Sequence, residues 1–130
     1  MILLGHPFIV YEPLWRVEKK EDILETPSHA CVVFDYHDNH VALCHYAVEN
    51  EISFALFVQD EREVILAAAL GADFIICDKG LVEIAQKFAD DYLFDAKILL
   101  YSNDEKDIVY AAKRSIDGIL FEKGIENGSD

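Results

Sequence analysis

The residues of this chain best suited to chemistry are carboxylates that directly follow apolar runs. Asp35 and Asp38 close Val32-Val33-Phe34, and Asp78 closes Phe74-Ile75-Ile76-Cys77. Three such groups brought together would offer the oxygen ligands and retained waters that Mg²⁺ takes. The competing use is structural: an acidic residue just ahead of a helix caps its free amide groups and complements the positive helix terminus. Asp60 and Asp104 stand where caps belong, whereas Asp35 and Asp78 abut the ends of their apolar runs. A second cluster is His29, His37, His40 and His45, with Cys31 and Cys44 between them. His37 and His40 are borderline-metal ligands by type, but the spacing matches no closed zinc pattern. Cys31, Cys44 and Cys77 lie among apolar neighbours without CxxC spacing and read as buried reduced thiols. No GxSxG, GxxxxGK[ST] or GxGxxG stretch is present.

The elements that must position these residues follow a regular beat. Apolar runs occur at Cys31–Phe34, Ser53–Val58, Phe74–Cys77, Ile98–Tyr101 and Ile119–Phe121, about 22 residues apart. They are continuous and not alternating, as strands buried on both faces are. Between them, apolar residues recur at helical spacing: Val41, Cys44, Ala47 and Val48; then Val64, Ala67 and Ala68. Leu81, Ile84, Ala85, Phe88, Ala89 and Tyr92 form the third set, and Ile108, Ala111 and Ala112 the fourth. Gly71 suits the end of the second helix. The stretch Asp73–Gly80 recurs 44 residues later as Asp117–Gly124, two beats on. Parallel strands joined by right-handed helical crossovers are the expected result. The sequence thus predicts an α/β fold: a five-stranded parallel sheet over residues 30–125, flavodoxin-like, with helices on both faces.

Residues 1–29 differ. Prolines at 7, 13 and 27 exclude a central strand across those points. Pro7–Tyr11 reads as a strand and Leu14–Val17 as a second short extended piece, together an N-terminal arm or edge strand of one domain spanning 1–130. Beyond Lys123-Gly124 the expectation is a polar tail, Glu126–Asp130, where a further helix would otherwise stand. That absence predicts an apolar face covered by the arm or by a second subunit.

The run ends also resemble the receiver domains of bacterial response regulators. Val32-Val33-Phe34-Asp35-Tyr36-His37-Asp38 is similar to that family's first strand with its acidic pair, and Asp73–Asp78 to the third with its phosphoacceptor. Lys97–Ser102 is similar to the fourth and Asp117–Lys123 to the fifth. The resemblance implies Asp35 and Asp38 near a metal position, Asp78 as acceptor, and Ser102 and Lys123 as a switch pair. The chain departs from the family where Tyr36-His37 split the acidic pair and where Lys123 falls one residue late, on the other face of a strand. It implies a degenerate receiver-like module, with phosphotransfer not carried over.

Composition narrows the partners. Twenty-five acids against 11 bases give a net charge of −14. Such a field repels phosphate backbones and anionic lipid, so neither nucleic acid nor membrane is expected. The first residues lack a basic stretch followed by a long apolar one, and a cytoplasmic location is expected. The resulting expectation is a non-catalytic regulatory or protein-interaction module, self-associating as a homodimer and without a cofactor. The alternative is a small Mg²⁺-dependent phosphate-handling protein or enzyme using Asp35, Asp38 and Asp78.

Overall fold

A computed structural model describes residues 1–127. The expected polar tail falls in part on residues 128–130, which lie outside the described residues. Among the described residues eight strands form one sheet: β1 (Ile2–Leu4), β2 (Leu14–Arg16), β3 (Cys31–Asp35), β4 (Phe54–Phe57), β5 (Phe74–Cys77), β6 (Lys97–Tyr101), β7 (Gly118–Leu120) and β8 (Ile125–Asn127). Their spatial order is β1-β7-β6-β5-β4-β3-β2-β8, and every neighbouring pair is parallel. Five helices accompany them: α1 (Lys20–Ile23), α2 (Val41–Glu49), α3 (Glu61–Leu70), α4 (Val82–Tyr92) and α5 (Asp107–Lys113). No helix among the described residues is long and apolar enough to cross a membrane.

The α/β class and the five apolar runs hold, as β3 to β7, but the five-stranded flavodoxin-like sheet does not. From β3 to β7 spatial order equals chain order, so every right-handed crossover advances the same way and lays its helix on the same face. A doubly wound sheet reverses direction once, and only that reversal puts helices on both faces. Buried residues of α2 to α5, among them Cys44, Ala67, Ala85 and Ala111, join one core with Val32, Phe34, Leu56, Ile75, Ile98 and Ile119. The opposite face carries Leu14, Val33, Ala55, Ile76, Leu99 and Leu120, one from each of β2 to β7, in a second core that contains no helical residue. All six are buried. A sheet face without helices is buried only if the sheet covers itself, so this sheet curls around its inner face, as a parallel sheet does when it approaches a barrel.

Closure comes from the segments expected to be arm and tail. β1 pairs with β7, and β2 is an interior strand next to the end of the sheet, between β3 and β8. Pro7–Tyr11 is not a strand, and the prolines bracket β2 without entering it. After β7 the chain makes a 3₁₀ turn, Glu122–Gly124, over the end of β1 and continues as β8. The crossing needs glycine twice: a Cβ on Gly5 (φ 97°) would stand 2.5 Å from the Gly124 nitrogen. With β1 and α5 beside it, Ile119 of β7 is fully buried, so the face expected there to need a cover is closed within the chain, and β1, from the segment expected to be an arm, contributes to it. Val48 and Tyr92, expected on core faces, are exposed.

The 44-residue recurrence has a structural meaning. The Asp73 carboxylate accepts the Phe54 amide at 3.0 Å, and the Asp117 carboxylate accepts the Ile98 amide at 2.9 Å. Each aspartate ties the start of its own strand to the start of the strand before it.

Candidate functional site

Period-two alternation places Arg16, Asp35, Phe57 and Tyr101 above the inner core, at the carboxyl ends of β2, β3, β4 and β6. They meet there. The Arg16 guanidinium lies 5.3 Å from the Phe57 ring centre and 3.3 Å from the Asp35 carboxylate, and Tyr101 meets the Phe57 ring edge-on at 5.4 Å. This aromatic and charged layer forms the mouth of the curl. In open α/β sheets ligands bind beyond the same strand ends.

The sequence-derived residues occupy this end but do not converge on one point. Asp35 pairs with Arg16. Asp38 opens a 3₁₀ turn and receives the Tyr36 hydroxyl at 3.4 Å. Asp78 accepts the Leu81 amide at 3.0 Å, a capping contact at the start of α4. The Ser102 hydroxyl accepts the Asp104 amide at 3.0 Å and donates to Asp107 at 2.6 Å. Asp107 is also held by the Lys79 ammonium at 2.7 Å, and these two donors keep its carboxyl below the ordinary carboxylate range. Lys123 is exposed, and its carbonyl accepts the Tyr11 hydroxyl at 3.1 Å. Asp60 caps α3 through the Glu63 amide at 2.8 Å, with Glu63 returning to the Gln59 amide at 2.9 Å.

The histidines likewise have local bonds. His37 accepts the Asn39 amide at 3.0 Å, and His40 donates to the Asp35 carbonyl at 2.7 Å with its ring against Phe34. Their ring centres are 5.8 Å apart. Among the described residues no three His, Cys, Asp or Glu side chains are grouped to hold a metal ion. Burial pushes the Cys31 and Cys77 thiols up to about 12 and Cys44 to about 11, with Asp73 and Asp78 adding to the first two. Thiols so placed are poor nucleophiles.

What sequence reasoning missed is the rim beside β1. His6 is buried. Its Nδ1 accepts the Phe8 amide at 3.1 Å, which leaves Nε2 to donate to Glu105 at 2.8 Å. Asn103 and Glu122 exchange two hydrogen bonds alongside, at 3.0 and 3.3 Å. From this base the β1–β2 loop raises three consecutive apolar side chains into solvent. Phe8 is 86% exposed, Ile9 is exposed and Val10 fully so. The only local signal for this rim is the apolar run Phe8-Ile9-Val10 between prolines at 7 and 13, which reads as a strand. Neither a known family model nor a curated protein matches the chain.

Proposed function

We propose that the protein is a non-catalytic interaction module that binds a protein partner, a second copy of the chain included, at the mouth of its curled sheet. The observation that carries this reading is the exposed Phe8-Ile9-Val10 triplet, held on the His6–Glu105 pair. Single exposed apolar residues are ordinary, but three in succession on an anchored loop form a patch suited to a partner. The loop is pinned at both sides, by the Phe8 amide on His6 and by the Tyr11 hydroxyl on the Lys123 carbonyl. A pinned loop loses less conformational entropy on binding than a free one. The strand-end carboxylates supply an acidic surround that favours partners with basic groups beside their apolar contact.

The test is a photo-crosslinking amino acid at Val10, with the same group at exposed Lys113 as control. The expected result is a protein adduct of discrete mass from Val10, in clear excess over Lys113 and abolished by Phe8→Ser. Equal yields at the two positions refute the reading. Sedimentation across concentrations then separates a second copy from a different protein.

A further inference from the structure

At the other end of the sheet, where α3 and α4 finish and β5 and β6 begin, the surface opens into a groove of 890 Å³. It is lined by small residues, Ala68 and Ala69 of α3 among them, and by the larger apolar side chains Ile65, Phe88, Tyr92 and Leu93. Tyr92 is 73% exposed and Leu93 is 85% exposed. Leu93 ends α4 in the left-handed conformation, φ 53° and ψ 52°, which glycine or asparagine adopts at less cost. Leucine at this position holds an apolar side chain out in water on a fixed backbone, and such local strain is concentrated at sites of function. Two features make the groove selective. Small residues in the lining let another backbone come close. The charged side chains lining it are both acidic, Asp73 and Asp95, and Asp90 and Asp91 precede Tyr92 in the last turn of α4, Asp91 paired with Lys87.

We infer that this groove docks a basic amphipathic helix of a partner protein, independently of the mouth. An apolar stripe would lie against Leu93, Tyr92 and Ile65, and flanking lysines or arginines would face Asp95 and its neighbours, the helix-in-groove mode of recognition. Charge decides against a second copy as occupant. A copy would bring the same aspartates to the contact on a chain of net charge −14, and like charges opposed across an interface weaken it. A basic helix meets complementary charge and is steered to it.

The experiment uses the whole chain and a fluorescein-labelled model helix of leucine and lysine, with a leucine–glutamate helix of the same pattern as its counterpart, followed by anisotropy. The lysine helix binds; Leu93→Ser weakens it at least about tenfold, as loss of a buried leucine contact requires. Val109→Ser, an exposed apolar change on α5, leaves it unaltered, and Asp95→Asn weakens it about threefold while reducing its salt dependence. Binding indifferent to Leu93→Ser would be diffuse attraction to an acidic surface and overturns the inference. Equal binding of the glutamate helix also overturns it. So does absence of binding, whether the chain sediments as a monomer or as a dimer that Leu93→Ser dissociates. All these outcomes leave the crosslink at Val10 untouched.

Discussion

Leu99→Ala tests the curl directly. Leu99 lies at the middle of β6, fully buried, on the face that carries no helix. If the inner face is closed, the substitution removes a fully desolvated side chain and leaves a cavity. The three lost carbon groups are worth about 2.4 kcal/mol in transfer alone, and the residual cavity raises the loss to about 3–4 kcal/mol. For a chain of 130 residues the unfolding entropy is about 0.27 kcal/mol per kelvin, so the midpoint falls by about 11–15 °C. Urea unfolding of wild type, Leu99→Ala and the exposed control Val109→Ala gives the comparison, with the control within about 0.5 kcal/mol of wild type. A loss for Leu99→Ala below about 1 kcal/mol would mean that the inner face is wet and the sheet open. A double-mutant cycle with Leu14→Ala sharpens the result. β2 and β6 are four positions apart in the strand order, about 19 Å on a flat sheet. Substitutions that far apart add. On the curled sheet Leu14 and Leu99 share one core, and a coupling above about 0.5 kcal/mol is expected. Strict additivity would count against closure.

Three further outcomes follow from the same structure. Gly118→Ala places a Cβ 2.5 Å from the Ile2 carbonyl, so β1 must leave β7; amide exchange should accelerate at Leu4 and Phe121, and unchanged protection there would show that the pairing is not as described. Asp107→Asn removes the ion pair with Lys79 and, because Lys79 is exposed, should cost little at neutral pH. The native pKa of Asp107 is depressed, so its contribution is complete above the ordinary value of 3.8 and is lost as pH falls through the native value; the gap between wild type and variant should close on acidification, and a gap that widens contradicts the assignment. Iodoacetamide at pH 8 should leave Cys31, Cys44 and Cys77 unmodified in the folded protein and label all three in urea, since burial keeps the thiolate scarce. Stoichiometric labelling of any one of them under native conditions would refute this.

The chain announces β3 to β6 because each is an apolar run of four or five residues with a helix-spaced segment after it, and β7, only three residues long, because Asp117–Gly124 repeats Asp73–Gly80. β1, β2 and β8 have three residues each; Leu14–Val17 reads as a short extended piece and contains β2, but Ile2-Leu3-Leu4 and Ile125-Glu126-Asn127 show no local pattern that separates them from loop. Their strand character comes from partners far along the chain. The two-faced burial of the longer strands was legible, but a run such as Val32–Phe34 looks the same whether its second face meets helices or the inside of a curl. At the strand ends, Asp60 was readable as a cap because its partner amide is three residues away. The meeting of Arg16 with Asp35, Phe57 and Tyr101 was not, since it depends on curvature. The same holds for His6 and Glu105, 99 positions apart. Tyr92 carried the right helical spacing for the core, yet it lies in the last turn of α4, beyond the edge of the sheet that would have covered it.

The pairing of β1 with β7 joins Ile2 to Gly118, residues 116 positions apart, and β8 reaches β2 only after that. On a ribosome this orders events. β3 to β6 can pair one after another as they are made, each contact closing a short loop, but the strands that seal the curl are synthesised last. Until residues 118–127 appear, a nascent chain carries Val33, Ala55, Ile76 and Leu99 on an uncovered sheet with unpaired edges. Arrest or premature release at that stage yields the most aggregation-prone form of the molecule. The last ten described residues thus matter more to survival during synthesis than their small share of the buried surface suggests.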